Sequence, residues 1–250
     1  MYKIQMKQPN NTCIKNILFI DIETVSCTAC YENLPEPLQL LWAKKSKMLQ
    51  GRSAEPIDPA QSFFEQAAIY AEFGKIIVIA IGFLTPNAEG AYTLRIKGLR
   101  NHDEKALLES FATLLTERLP QRDLQLCAHN GKEFDFPYLC RRMLVNNICL
   151  PALLNVSGKK PWEVPFLDTM EMWKFGDRKS FTSLHLLATL FGITSSKEIM
   201  EGSEVNSYYY HEKDLDTITH YCMQDVAVLA QLFCRLTGGP TLLPEHIVLT

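Results

Sequence analysis

The segment Asn16 to Glu23 (NILFIDIE) opens with a continuous apolar run, the pattern of a strand buried on both faces. Lys75 to Phe83 (KIIVIAIGF) repeats that pattern and is rich in β-branched residues, whereas Ala91 to Lys97 alternates and reads as a third strand nearer an edge. From Asp103 to Leu119 the period changes. Ala106, Leu107, Phe111, Leu114 and Leu115 recur at helical spacing, with Asp103 and Glu104 in the first turn where the helix dipole favours acids. Gln125 to Ala128 is a short strand, and a helix starts at Phe134 or Asp135 with Pro137 in its first turn. Val164 to Asp168 is a short strand. Ser183 to Phe191 is a helix stopped by Gly192, and Asp214 to Leu236 is a long helix ending at Gly238-Gly239-Pro240. The stretch after Pro240 reads as a tail.

Three strands, a helix, a strand, a helix, a strand and further helices describe a mixed α/β sheet with helices on both faces. Residues 1–250 read as a single domain with an insertion at about 26–74, between the first two strands. The insertion holds Pro35, Pro37, Pro56 and Pro59, a basic cluster (Lys44, Lys45, Lys47, Arg52) and a helical pattern from Gln61 to Phe73.

Composition narrows the function classes. With 47% hydrophobic residues in 250 the chain can build one sizeable core. A net charge of −3 argues against a protein that coats nucleic acid, but not against an enzyme that grips a few nucleotides beside an acidic metal site. The eight cysteines are scattered, and Cys27-x-x-Cys30 lacks the second pair a zinc ribbon needs, so they read as reduced thiols. Met1 to Lys7 has no apolar core of a signal peptide, and no run approaches the roughly 20 apolar residues of a membrane span. A cytoplasmic protein is expected.

Four acids stand out. Asp21 and Glu23 are i, i+2 on the first strand and share a face at its end. Two carboxylates there fit a divalent metal between them, or equally a strand that has ended in solvent. On a helical wheel at about 100° per residue, Ile218, Cys222, Leu229, Leu232, Phe233 and Leu236 form an apolar stripe with Asp225 in its middle and Tyr221 one turn before it. An unpaired buried Asp costs several kcal/mol, so Asp225 needs a metal, a backbone donor or an arginine. In Asn130-Gly131-Lys132-Glu133-Phe134-Asp135, Asp135 fits a helix cap as well as a ligand.

In order, Asp21-x-Glu23-Thr24, Asn130-x-x-x-Phe134-Asp135 and Tyr221-x-x-x-Asp225 resemble the tyrosine branch of the DEDD 3′-5′ exonucleases. Tyr221-Cys222-x-x-Asp225-Val226 and Ser183-Leu184-His185-Leu186-Leu187-Ala188 are similar to the proofreading exonuclease domain of family B DNA polymerases, here without a polymerase module. The resemblance spans about Ile17 to Leu236 and implies a ribonuclease H-like fold and two-metal hydrolysis that releases nucleoside 5′-monophosphates. The cofactors it implies are two divalent ions, Mg²⁺ or Mn²⁺. In that resemblance Asp21 bridges both ions, Glu23 and Asp225 complete the site of the ion that binds the attacking water, Asp135 holds the second ion, and Tyr221 orients the water. Thr24 and Asn130 meet the terminal nucleotide or its phosphate, and Phe134 either packs under the site, which its place between a strand and a helix favours, or stacks on a base. The implied partner is a single-stranded nucleic-acid 3′ end, DNA favoured, although no motif reads the 2′ position to decide against RNA.

Two rivals remain at this stage. A haloacid-dehalogenase-type phosphatase also starts with a strand and an Asp-x-Asp-x-Thr, but Asp21-Ile22-Glu23-Thr24 has the wrong register and leaves Asp225 unexplained. A catalytically inactive exonuclease fold that only binds nucleic acid would be expected to have lost an acid. His220 turns about 100° away from Tyr221 and reads as a surface residue. Arg141-Arg142, Lys159-Lys160 and Arg178-Lys179 are basic pairs that could track a strand, and Asp168 is a supporting or merely structural acid.

Overall fold

The computed structural model describes residues 14–49, 58–87, 91–119, 123–177, 179, 181–194 and 200–250. Met1 to Lys7, Arg52, Pro56 and Arg178, named above, lie outside them. In chain order the elements are β1 (Ile17–Ser26), α1 (Glu36–Leu49), α2 (Pro59–Gln66), β2 (Gly74–Pro86), β3 (Tyr92–Arg100), α3 (Glu104–Thr113), β4 (Gln125–Ala128), α4 (Asp135–Val145), β5 (Leu167–Asp168), α5 (Thr169–Lys174), α6 (Leu184–Phe191), α7 (Val205–Ser207), α8 (Leu215–Thr237) and β6 (Ile247–Leu249). Short 3-10 and π turns join several of them.

The strands form a six-stranded sheet in the order β5-β4-β1-β2-β3-β6. β2 runs antiparallel to both β1 and β3, while β4, β5 and β6 run parallel to their neighbours, so β2 alone opposes the rest. This is the mixed α/β sheet expected from the sequence. β1, flanked by β4 and β2, is central, and its burial on both faces explains the unbroken apolar run.

The two faces of β1 feed two cores. Ile17 and Phe19 face α8, where Phe19 meets Phe233 edge-on at 5.5 Å. Leu18, Ile20 and Ile22 face α3 and α4, with Leu107, Phe111, Phe136 and Leu139. α8 is fixed at both ends by local chemistry. The Asp214 carboxylate accepts from the Thr217 N–H, and Gly238 takes a left-handed φ of 67° that closes the C-terminus. Two glycines let α8 lie close on the sheet. A Cβ at Gly82 would fall 2.6 Å from Val226 Cγ1, and one at Gly98 would fall 2.4 Å from Thr219 Cγ2.

Several elements differ from the sequence expectation. The stretch after Pro240 contains β6, which pairs with β3 and removes β3 from the edge. A three-residue strand carries too little pattern to be read before its partner is known. β5 covers only Leu167–Asp168 of the expected Val164 to Asp168, whereas β4 has the expected bounds. Between β1 and β2 the chain forms two helices rather than one. α1 went unread because of its weak amphipathicity, and α2 ends at Gln66, where a 3-10 turn takes over. These helices bury Trp42 and Phe63 in a small cluster of their own, ring against ring at 5.5 Å.

Candidate active site

β1 supplies the first two acids. Asp21 and Glu23 continue the odd-numbered row that faces α8, and a β-bulge follows between Glu23 and Thr24. Facing them on α8 are Tyr221, Cys222 and Asp225. The ligand atoms of Asp21, Glu23 and Cys222 lie within 4.8 Å of one another, and the Cys222 thiol donates to Asp21 Oδ2 at 3.3 Å. The Tyr221 hydroxyl hydrogen-bonds the Asp225 carboxylate one turn on. Gly202 brings the preceding segment over this ring, since a Cβ there would lie 3.9 Å from the Tyr221 hydroxyl oxygen.

Asp135 arrives from the other arm of the sheet. After β4 the chain turns through Asn130, at a left-handed φ of 61°, and Gly131, where a Cβ would fall 2.3 Å from that of Ala128. The turn delivers Asp135 as the first residue of α4, and its carboxylate accepts the Ile22 N–H of β1. Asp135 is 3% exposed.

The crowding of acids raises the proton affinity of Asp21, Glu23 and Asp135. Burial pushes the carboxyls of Asp21 and Glu23 well above the usual range, and the charges of Asp225 and Asp135 push them further. Burial likewise lifts Asp135 to about 7, opposed by the backbone N–H groups it accepts. The Tyr221 phenol is held up by burial and then by Asp225, Glu23 and Asp21. Carboxyls brought this close, with no ion pair to Asp21, Glu23 or Asp135 among the described residues, fit divalent cations. Their oxygen-rich donor set suits Mg²⁺ or Mn²⁺, while the single thiol is protonated and occupied as a donor.

The remaining candidates fall around this centre in different states. The Thr24 hydroxyl donates to the Ala68 carbonyl at 2.9 Å and so ties the insertion to β1, leaving its backbone beside Glu23. Phe134 is half-buried, its ring 5.4 Å from Tyr138. Asn130 is half-buried at the turn, with its N–H bonded to the Asp168 carboxylate at 3.0 Å. His220 is exposed, as its place on the helical wheel indicated. Arg142 corrects the expectation of basic pairs tracking a strand. It is buried, with Nε 2.8 Å from Glu104 Oε1 and Nη2 2.5 Å from Oε2, so it joins α4 to α3 and the solvent-facing member of that pair is Arg141. Cys222 and Asp168 are the residues whose part the sequence reading did not resolve. Cys222 counted only as an apolar member of the helical stripe, and nothing in sequence sets Asp168 beside Asn130, 38 residues away.

A family model described as "Predicted 3'-5' exonuclease related to the exonuclease domain of PolB" matches residues 69–240, well over half of the chain. No curated protein matches the chain. The family B DNA polymerase from the hyperthermophilic archaeon Pyrobaculum calidifontis has a similar solved structure, with a TM-score of 0.48 and 14% identity. The similarity covers 88% of this chain and 24% of that one, so the chain spans about a quarter of that polymerase.

Proposed function

The chain belongs to the family of predicted 3′-5′ exonucleases related to the exonuclease domain of PolB, and on that premise we propose that it removes nucleotides from a single-stranded 3′ end, DNA in preference to RNA. The observation that carries this reading is the convergence of Asp21, Glu23, Asp135 and Asp225 from three separate elements, with no ion-pair partner for Asp21, Glu23 or Asp135 among the described residues.

Asp21, Glu23 and Asp225 would hold one divalent ion, and Asp135 with Asp21 a second; bound there, such ions lower the pKa of water and neutralise charge on the phosphate. The chain's own contribution is orientation. Tyr221, with its phenol held protonated by burial and the surrounding acids, can donate to or accept from a water while staying neutral. The Asp21 side chain is aimed by the Cys222 thiol at 3.3 Å. Asn130, Phe134 and the backbone at Thr24 line the approach of the terminal nucleotide. Release of a 5′-monophosphate follows from attack on the phosphorus with the 3′ oxygen of the preceding nucleotide leaving.

A 5′-labelled single-stranded oligonucleotide incubated with Mg²⁺ or Mn²⁺ should shorten from its 3′ end into a ladder. Asp21→Ala and Asp225→Ala should abolish the ladder. Binding of the oligonucleotide by the intact protein without shortening would overturn the assignment in favour of a non-catalytic binding module.

A further inference from the structure

We infer that Asp168 is a positioning residue that fixes the turn carrying Asn130 and Asp135 to the sheet, and so sets the nucleotide-binding and second-ion half of the site. The inference rests on the exonuclease reading above. Asp168 ends β5 and is 3% exposed. Its carboxylate accepts four backbone N–H groups from two separate segments. Oδ1 takes those of Asn130 at 3.0 Å, Met170 at 2.9 Å and Glu171 at 3.3 Å, while Oδ2 takes that of Lys132 at 3.1 Å. Met170 and Glu171 form the first turn of α5, so that share of the bonding is an ordinary helix cap. The share that goes to Asn130 and Lys132 is not. It holds both sides of Gly131, in a turn whose first residue already sits at a left-handed φ of 61°.

Three features show that the turn is held rather than merely passing by. Lys132 Nζ bridges to Glu171 Oε2 at 2.6 Å, strapping the same two segments a second time. The neighbouring His129 ring is pinned on both sides, with Nε2 donating to the Thr182 carbonyl at 2.9 Å and Nδ1 2.8 Å from the Thr169 hydroxyl. Beyond the turn, the N–H groups of Glu133 and Phe134 both reach back to the Asn130 carbonyl, so a displacement of Asn130 is passed to the residues that set Asp135. Small misplacements of ligating or orienting groups cost large factors in binding and rate.

Asp168→Asn separates the two roles. An amide oxygen in the Oδ1 position keeps the bonds to Asn130, Met170 and Glu171, and hence the α5 cap. The NH₂ then confronts the Lys132 N–H, donor against donor, and that link is lost. Asp168→Ser is a second variant that retains a capping oxygen while removing the reach to the turn.

The test combines Mn²⁺ titration by calorimetry, KM and kcat on the 5′-labelled oligonucleotide, and amide hydrogen exchange. Asp168→Asn should weaken the Asp135-dependent Mn²⁺ event by about tenfold, the size of one lost buried hydrogen bond to a charged group, and Asp168→Ser, which loses the links to both Asn130 and Lys132, by at least as much. They should leave the event that needs Asp225 unchanged. KM should rise by about the same factor with a smaller change in kcat, and the Lys132 amide should exchange faster. A variant that melts earlier yet keeps both the Mn²⁺ isotherm and KM within twofold of the parent would overturn the inference and leave Asp168 a helix cap. If the parent protein releases no nucleotides the exonuclease reading fails, and the Mn²⁺ isotherms and the exchange at Lys132 still decide the positioning role.

Discussion

Raising the pH of the metal-free protein should destabilise it through Asp135. A carboxyl with an ordinary value of 3.8 sits at about 7 in the fold, chiefly because burial opposes its charge. The native state therefore binds the proton more tightly than the unfolded chain. Its contribution to stability is fully present below about pH 4 and is lost as pH rises through about 7. The difference between 3.8 and about 7 corresponds to about 4 kcal/mol as an upper figure for this one group. For a chain of this size that is a fall of roughly 10 °C in Tm, at about 2–4 °C per kcal/mol. Asp135→Asn is the control, because the amide imitates the neutral acid. In excess chelator, thermal unfolding followed by circular dichroism between pH 4.5 and 8.5 should show the two proteins converging at low pH. At high pH the variant should be the more stable by several degrees. Saturating Mn²⁺ should reverse the order at high pH, since a charged carboxylate holds the ion far more strongly than a neutral amide oxygen. Parallel pH profiles for the two proteins in chelator would refute the argument, for they would mean that Asp135 ionises in the fold as freely as in water.

Glu104→Ala should cost about 3–5 kcal/mol by chemical denaturation, because it strands the buried Arg142 guanidinium and leaves the Ile76 N–H, 2.8 Å from Oε1, without its acceptor. A much smaller loss would show that water reaches the pair. Gly82→Ala should cost about 1–3 kcal/mol and lower nuclease activity as well. Its Cβ would push on Val226, the residue after Asp225, and shift α8 on the sheet. Stability lost with activity unchanged would contradict that coupling. Tyr221→Phe should slow hydrolysis by about 10²-fold or more while leaving Mn²⁺ affinity within a factor of about two, since its hydroxyl bonds Asp225 and in the proposed mechanism orients the water rather than binding an ion. An equal loss of metal binding would move Tyr221 into the ligand set.

The sequence by itself determined the central strands, the long helix and their ends. These follow from local rules that need no partner. Unbroken apolar runs make the β1 and β2 strands, an Asp caps α8, and glycines in left-handed geometry stop α6 and α8. It also placed Asp21 and Glu23 on one face, because a strand repeats every two residues. Tertiary structure decided everything that depends on segments meeting. β6 exists as a strand only because β3 offers an open edge to three residues of weak pattern. Arg142 reads as one of a surface pair until Glu104 is seen facing it from α3. Asp168 becomes the anchor of the Asn130 turn only once β5 lies beside β4, since a hydrogen bond between residues 38 apart leaves no periodic trace in the chain. The charge of the site belongs to the same class. Each acid alone could be a cap or a solvated strand end, and only their convergence from β1, α4 and α8 raises the proton affinities of Asp21, Glu23 and Asp135 and makes a cation a natural counterpart.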